Sequence, residues 1–112
     1  MIKYTINDLD KWSNIINDNN DSLIIGFFHA KWCAPCRILT NTIQGMMDEY
    51  PNVILVDIDV DDADAQDMCM MMNIRSVPTL LFTKGGYISD RTTGAVGSHV
   101  IREKINKILT TK

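Results

Sequence analysis

The sequence has few cysteines, no long hydrophobic run and no excess of basic residues. Its longest apolar stretches, Leu23–Phe28 and Val53–Val56, are far too short to cross a bilayer, and no apolar run follows Lys3 as a secretory signal would require. The 11 basic residues are scattered and the net charge is −3, which does not favour a nucleic-acid surface. We therefore expect a cytoplasmic protein that binds neither membranes nor nucleic acids, in a compartment where structural disulfides are rare.

The cysteines number 3, and an odd number argues against a disulfide framework. Cys33 and Cys36 are separated by two residues, a spacing that occurs in both redox and metal sites. A structural zinc site needs four ligands in all, and the other candidates, Cys69, His29 and His99, show no paired spacing. Zinc and an inert disulfide remain alternatives, but the spacing favours a redox pair, and we predict no metal site.

The pattern of apolar and polar residues predicts one α/β domain spanning residues 1–112. Strands are predicted at Ile2–Ile6, Ser22–His29, Val53–Val60, Thr79–Thr83 and Tyr87–Thr92, and helices after Asn7 as N-cap, from the cysteine motif to Pro51, over Asp61–Asn73, and after Ser98 as N-cap. The order βαβαβαββα begins with parallel crossovers and ends in a hairpin that turns at Gly85 and Gly86. We therefore expect a central mixed five-stranded sheet with helices on both faces.

The two cysteines lie at the predicted start of a helix, and this position favours reactivity. Unpaired amide groups and the positive end of the helix dipole stabilise a thiolate at Cys33, and the thiolate is the reactive form of a cysteine. Pro35 suits the first turn, because its missing amide is not needed there. Arg37 adds a positive charge directly after the motif. These features together predict an activated pair of thiols.

The segments around this pair resemble the thioredoxin family over nearly the whole chain. Trp32–Cys36, which reads Trp-Cys-Ala-Pro-Cys, resembles the family's active-site segment, and Asp57–Asp59 resembles the end of its central strand. Val77–Thr79, which reads Val-Pro-Thr, matches the family's cis-proline element, and Gly94 matches the glycine after its last strand. The resemblance implies the thioredoxin fold.

The resemblance also implies a reaction. Cys33 would attack a disulfide as a thiolate and Cys36 would resolve the mixed disulfide, as in a general protein disulfide reductase. The backbone of Val77 would pair with an extended substrate strand. The implied groove residues are Trp32, Ala34, Pro35, Val77, Pro78, Gly94 and Ala95. No cofactor would be bound, because an NADPH-dependent flavoprotein reductase would supply the electrons to a monomer that acts on disulfide-containing proteins.

The sequence departs from the family behind the cysteine pair. Phe27 stands where thioredoxins often bury an acidic residue, and Leu55 where they often place a lysine. We interpret both as core packing, because replacing both members of a buried polar pair by apolar groups is often neutral or stabilising. Deprotonation of Cys36 would then rely on water or on a nearby group such as His29, whose alternative role is to pack as a half-buried ring. His29, Arg37 and Phe27 are therefore the candidate tuning residues.

Other chemistry-bearing residues have simpler interpretations. Cys69 lies on the apolar face of the third helix and is predicted to be a buried inert thiol rather than a further redox centre. Met68 and Met72 are predicted to lie in the core, and Met70 and Met71 to be exposed. The aspartates between residues 57 and 64 lack the glycine and glutamate of a calcium loop, so we interpret them as a solvated helix start.

Two other functions remain open for the sequence alone. One is an oxidase or isomerase of the same fold, which usually works in an oxidising compartment and often has histidine where this chain has Pro35. The other is a non-redox subunit that docks a partner around Trp32. The presence of both cysteines argues against docking alone.

Overall fold

The computed structural model describes residues 1–110, and the last two residues of the predicted domain, Thr111 and Lys112, lie outside the described residues. The strands are β1 (Ile2–Ile6), β2 (Ile24–His29), β3 (Ile54–Asp59), β4 (Thr79–Lys84) and β5 (Tyr87–Thr93). The helices are α1 (Leu9–Asp18), α2 (Ala34–Gln44), α3 (Gln66–Met71) and α4 (Ser98–Thr110), with short 3₁₀ turns at Met47–Glu49 and Ala63–Ala65. The predicted order βαβαβαββα is confirmed.

The strands form one five-stranded sheet in the order β1-β3-β2-β4-β5. β3 is parallel to β1 and β2, whereas β4 is antiparallel to β2 and β5. The predicted mixed sheet is therefore confirmed. β2 lies at its centre and is buried along almost its whole length, which explains why its sequence is continuously apolar.

Helices cover both faces of the sheet, as predicted. α2 and α4 pack on one face through residues such as Leu39 and Ile105. α1 and α3 pack on the other face through residues such as Trp12 and Met68. Because side chains alternate along a strand, β2 contributes successive residues to the two cores. The two packed layers hold β2 rigidly up to the point where the chain enters the cysteine motif.

The helix that follows the cysteine motif is shorter than predicted. α2 ends at Gln44 instead of continuing to Pro51, and the chain turns again only at Met47–Glu49. Gly45 follows α2, and Met46 leaves the helical region with φ −119° and ψ 4°. Glycine in a helix costs about 1 kcal/mol relative to alanine, so the break falls at this position. Met46 is nevertheless buried, as predicted.

Two predicted N-caps are wrong. Asp8, not Asn7, caps α1, because its carboxylate accepts the backbone N–H of Lys11 at 2.8 Å. Ser98 is the first residue of α4 instead of a cap before it. Its hydroxyl accepts a hydrogen bond from Arg102 at 3.2 Å, so it contacts a side chain one turn later in the helix instead of capping the helix end.

Three elements differ from prediction in the exposure of their residues or in their length. The alternation of apolar and polar residues in Ile2–Ile6 predicts a half-buried strand, but only Ile6 is buried, because β1 is an edge strand. The helical spacing of Ile101, Ile105, Ile108 and Leu109 predicts that Leu109 faces inward, but it is 46% exposed, because it lies about 100° around the helix from its neighbour Ile108, which packs on the core. α3 spans only Gln66–Met71, because the preceding residues form a 3₁₀ turn capped by Asp62.

Candidate active site

Cys33 and Cys36 lie at the junction between the central strand and α2. Cys33 is the N-cap of α2, and its sulfur accepts the backbone N–H of Cys36 at 3.1 Å. The two sulfurs form a disulfide, with 5.2 Å between the Cα atoms. Each cysteine is only 3% exposed. The predicted placement of the pair at a helix start is therefore confirmed. The sulfur of Cys33 caps the helix by accepting the backbone N–H of Cys36.

The first turn of α2 has the local chemistry that the sequence predicts. Pro35 lies in this turn, where no backbone N–H is required of it. Pro35 and Ala34 are both exposed beside the disulfide. Arg37 is exposed, and its guanidinium donates to the carbonyl of Lys31 at 3.2 Å. The arginine is thus held against the loop before the cysteines, and its influence on the sulfurs stays a prediction.

The floor behind the cysteines is apolar at the two positions that the sequence singles out. Phe27 and Leu55 are each 3% exposed and belong to the core that α2 and α4 cover. Core packing is therefore confirmed for both residues. Neither side chain carries a charge, although Asp57 lies opposite Phe27 in the register of β2 and β3.

A histidine–aspartate contact lies next to these two residues on the same two strands. Nε2 of His29 is 2.7 Å from Oδ1 of Asp57, and the two side chains are 21% and 19% exposed. The carboxylate lies off the direction of a ring N–H bond, so the contact is a close approach without an aligned hydrogen bond, and it becomes an ion pair only when the ring is protonated. His29 also contacts Phe27, with 5.0 Å between the ring centroids. The packed-ring interpretation of His29 is thus incomplete, because the ring has a carboxylate partner.

Sequence reasoning missed the role of Asp57, although a signal was present. Residues two apart on a strand face the same side, so His29 lies beyond Phe27 and Asp57 beyond Leu55 on the face that α2 covers. In the parallel register Asp57 lies opposite Phe27 and Asp59 opposite His29, so Asp57 is the diagonal neighbour of His29 on the same face. Only knowledge of that pairing identifies Asp57 as the partner of His29.

In front of the disulfide lies an open groove of about 280 Å³, lined among others by Trp32, Val60, Cys69, Ile74, Ser76 and Val77. We call it the groove. Trp32 is 70% exposed, and its indole N–H donates to the carboxylate of Asp61 at 2.8 Å. The hydrogen bond orients an exposed aromatic ring at the edge of the groove. Two of the predicted groove residues, Trp32 and Val77, are thus brought together here.

Three of the other predicted groove residues lie around the Val77–Pro78 bond, whereas Ala34 and Pro35 lie beside the disulfide and do not line the groove. The Val77–Pro78 peptide bond is cis, and Pro78 itself is buried. The carbonyl of Pro78 accepts the backbone N–H of Gly94 at 2.9 Å, so the loop of Gly94 is fixed directly beside it. Gly94 has φ +83°, which favours glycine. Ala95 is exposed next to it, and none of these three residues lines the groove itself.

Arg91 supports the groove from the neighbouring strand and was not found from the sequence. Its guanidinium donates to the carbonyls of Met72 at 2.9 Å and of Asn73 at 3.1 Å. These carbonyls end α3 and begin the segment that leads to Val77. A positive charge at a helix C-terminus is stabilising. Because Arg91 lies 18 residues beyond Asn73 in the chain, no local pattern indicates this contact.

Met68, Met70 and Met71 agree with their predicted burial, with one addition for Cys69, which like Met72 is half-buried and not fully buried as predicted. Met68 is buried, while Met70 and Met71 are 79% and 71% exposed. Cys69 is free and half-buried, and desolvation raises the pKa of its thiol, which disfavours the reactive thiolate. The addition is that Cys69 forms part of the groove wall near Trp32.

The acidic segment after β3 is occupied by local turns. Asp59 accepts the backbone N–H of Asp61, and Asp62 accepts that of Asp64, each at 2.9 Å. This arrangement is a helix start, as predicted. Among residues 1–110, no group of three or more histidine, cysteine, aspartate or glutamate side chains is placed to hold a metal ion. Over the same residues, no helix has the length and apolar character to span a membrane.

Comparisons with known proteins agree on one family. A sequence model described as Thioredoxin matches residues 3–107. The chain is 36% identical over 101 residues to thioredoxin H5 of Arabidopsis thaliana, covering 88% of this chain and 83% of that protein. It is 30% identical over 104 residues to the thioredoxin of Ophiophagus hannah, covering 93% and 96%. Among solved structures, Fasciola hepatica thioredoxin matches with a TM-score of 0.82 and 30% identity, covering 96% of this chain and 98% of that one.

Proposed function

This chain belongs to the thioredoxin family and is a thiol–disulfide oxidoreductase, and from that premise we propose that it serves as a general reductant of protein disulfides, supplied with electrons from NADPH by a flavoprotein reductase. One observation carries the proposal. Cys33 caps α2 with its sulfur on a backbone amide and lies beside the groove of Trp32 and Val77. A thiolate stabilised at a helix start, next to a surface for an extended chain, is suited to attack disulfides of many proteins.

The reaction takes two exchange steps. The Cys33 thiolate attacks one sulfur of the substrate disulfide, so that a Cys33–substrate bond forms and the first substrate thiolate leaves. Cys36 then attacks the sulfur of Cys33, the Cys33–Cys36 bond forms and the second substrate thiolate leaves. The protein loses two electrons and the substrate gains them. The reductase returns the pair to the dithiol state.

The groove supports substrate binding through the chain's backbone. Val77 lies two residues before β4 begins at Thr79, outside the pairing of β4 with β2 and β5. Its backbone groups are therefore placed to pair with an extended substrate segment, as in β-strand addition. Trp32 supplies an apolar face with a fixed ring, since Asp61 holds its indole N–H. This mode is tolerant of sequence, which suits a general reductant.

An insulin-reduction assay coupled to NADPH and a thioredoxin reductase tests the proposal. The wild-type protein is expected to consume NADPH in proportion to the insulin disulfides reduced. Cys33→Ser should abolish turnover, and Cys36→Ser should accumulate a mixed disulfide at Cys33 without turning over. Turnover that survives both substitutions, or its absence from the wild type, would contradict the proposal.

The proposal includes a cytoplasmic location and a monomeric state. Fractionation of cells that express the tagged chain tests the first, and recovery in a membrane or exported fraction counts against it. Sedimentation equilibrium at working concentration tests the second. A stable dimer that covers Trp32 would contradict the monomer.

A further inference from the structure

The resolving step requires a proton acceptor, because a thiol is a nucleophile only after it loses its proton. This inference rests on the proposed function, in which Cys36 performs that step. Cys36 is 3% exposed, so bulk water has little access to it. The amide at the start of α2 is directed at the sulfur of Cys33, not at that of Cys36. The start of α2 therefore does not account for the loss of the proton from Cys36.

The immediate neighbours of Cys36 do not supply a base. Cys36 packs in a small apolar cluster with Ala30 and Cys33, and Val60 and Val77 lie against this cluster. None of these neighbours carries a group that accepts a proton while Cys33 is held in the mixed disulfide. The acceptor must come from the layer next to the cluster.

The layer behind the cluster contains a cavity of about 270 Å³, lined among others by Lys3, Phe27, His29, Thr40, Leu55 and Asp57. We call it the rear cavity. Thr40 lies one turn after Cys36, on the same face of α2, and its hydroxyl donates to the carbonyl of Cys36 at 2.9 Å. The rear cavity therefore reaches α2 one turn after Cys36, although Cys36 itself does not line it. Its volume is ample for water molecules that link its polar groups.

A second contact ties His29 to the cysteine cluster. The carbonyl of His29 accepts the backbone N–H of Val60 at 2.9 Å, and Val60 packs against the cluster of Cys33 and Cys36. His29 is also separated from Cys33 by only three residues of a loop closed by the hydrogen bond from Cys33 N–H to the carbonyl of Ala30 at 3.2 Å. The backbone of His29 is thus fixed relative to the cysteines.

Three elements place charged or polar groups around His29. On β3, Asp57 lies 2.7 Å from Nε2, and Asp59, which is the register partner of His29, has a carboxylate that accepts the N–H of Asp61. On β1, Lys3 lies at the cavity wall, and the polar groups that α2 contributes are the uncharged Thr40 and Gln44. Nε2 is sealed from solvent and has no aligned hydrogen bond within residues 1–110. A buried nitrogen beside a carboxylate is an arrangement that stabilises an imidazolium once it forms.

We propose that His29, with Asp57 behind it, accepts the proton of Cys36 when Cys36 resolves the mixed disulfide. The proton passes from the Cys36 thiol to the neutral imidazole through the rear cavity, and Asp57 stabilises the resulting positive charge. The Cys36 sulfur then attacks Cys33, the Cys33–Cys36 bond forms, and the bond from Cys33 to the substrate breaks. The electron pair leaves with the substrate sulfur, and the imidazolium returns its proton to solvent. Asp57 is a positioning residue in this step.

A stopped-flow experiment with an aromatic disulfide that releases a coloured thiol separates the two steps. One equivalent of the reagent reacts with the reduced protein; the first release reports attack by Cys33 and the second reports resolution by Cys36. His29→Gln should slow the second release about ten- to a hundredfold near neutral pH and move its rise to more alkaline pH, because general bases contribute about that much or more. Asp57→Asn should slow it in the same direction by less. The first release should change by no more than about twofold.

The chain offers a matched control in its second histidine. His99 is exposed on α4, and His99→Gln should leave both releases unchanged. If His29→Gln does not fold, Asp57→Asn carries the test alone, because it preserves size and shape. Added imidazole should partly restore the second release in His29→Ala.

The outcomes distinguish the inference from the proposed function. A second release in Asp57→Asn or His29→Gln with wild-type rate and pH profile would overturn the inference while reduction of disulfides stands. Equal slowing of both releases would also overturn it, because the pair would then act on the whole site. A wild-type protein that gives no second release dependent on Cys36 would instead contradict the proposed function.

Discussion

The disulfide separates two regions that differ in almost every physical property. In front, the groove is open, its most prominent side chain is 70% exposed, and its binding groups are apolar surfaces and backbone. Behind, the rear cavity is half-buried and places the contact of His29 with Asp57 beside the apolar floor of Phe27 and Leu55. The difference indicates that the regions on the two sides of the disulfide have different functions. Substitutions in front should change how substrates bind, and substitutions behind should change proton transfer or stability.

The largest effect should come from placing a charge on the floor of the rear cavity. Phe27→Asp buries a carboxylate opposite Asp57, its register partner on β3, and we expect it to lower the free energy of unfolding by about 3–5 kcal/mol at neutral pH. Burial disfavours the charged form, so the pKa of the introduced acid should rise on folding. The loss should therefore be smaller in acid and grow as pH rises through the ordinary range of aspartate. Urea unfolding at acidic and neutral pH measures it.

Phe27→Leu is the control for this substitution, with an expected cost of about 1 kcal/mol and no dependence on pH. Equal stability of Phe27→Asp and Phe27→Leu at neutral pH would show that the floor is hydrated. The contrast between the apolar floor of Phe27 and Leu55 and the contact of His29 with Asp57 would then be lost.

The second effect tests whether the groove depends on support from β5. Arg91→Met removes both hydrogen bonds to the carbonyls of Met72 and Asn73, and we expect about 1–3 kcal/mol of stability to be lost. Because these carbonyls begin the segment that carries Val77, KM for a protein disulfide should rise severalfold. The second release in the coloured-thiol experiment should not change.

Arg91→Lys keeps the charge but has no planar fork with which to reach both carbonyls. Its stability and its KM should therefore lie between those of Arg91→Met and the wild type. Denaturant unfolding and a separation of kcat from KM provide the measurements. A fall in stability with no change in KM would mean that Arg91 supports the fold alone.

A smaller effect should follow from freeing the indole of Trp32. Asp61→Ala removes the acceptor of its N–H, and we expect kcat/KM for protein disulfides to fall about two- to fivefold, since a single hydrogen bond contributes about 0.5–1 kcal/mol. A small aromatic disulfide that does not span the groove should be affected less. Asp61→Asn retains an oxygen that accepts the indole N–H, so it should behave as the wild type. Equal losses in the two variants would show that the charge of Asp61, and not the hydrogen bond, matters.

The smallest effect belongs to an ion pair outside both regions. A hydrogen bond from Lys104 lowers the pKa of Asp90, with further contributions from the Arg91 amide and Lys107. A depressed pKa of a carboxylate adds stability above the unfolded value and loses it as pH falls through the folded value. Asp90→Asn should therefore lower the free energy of unfolding by about 0.5 kcal/mol or less at neutral pH, because the pair is partly exposed.

Unfolding of Asp90→Asn and the wild type over a series of pH values provides the measurement, and the two curves should converge in acid. Both releases in the coloured-thiol experiment should stay unchanged. A difference in stability that persists in strong acid would contradict the electrostatic explanation.

Much of the fold follows from local patterns in the sequence. The continuous apolar run of β2, the alternating helices and the glycines Gly85 and Gly86 determine the element order, because each is a short-range signal. The same holds for the cysteine pair, whose spacing and Pro35 place it on a helix start. Failures occur where two weak local signals compete, as at Gly45, which ends α2 earlier than the apolar spacing predicts.

The candidate site was less predictable where it depends on pairing between distant segments. Asp57 becomes the partner of His29 only through the parallel register of β2 and β3. Arg91 reaches Met72 only because β5 lies beside the end of α3. Motifs therefore identify the groove in front of the disulfide, whereas the rear cavity and its supports require three-dimensional structure.

One hydrogen bond links the start of α2 to the redox state of the protein. The amide of Cys36 donates to the sulfur of Cys33, which is neutral in the disulfide and carries charge in the thiolate. A negative cap stabilises a helix start by about 0.3–1 kcal/mol more than a neutral one. Each two-electron reduction thus tightens the first turn of α2, and each oxidation loosens it. The exchange rate of a single backbone hydrogen is therefore a readout of the redox state.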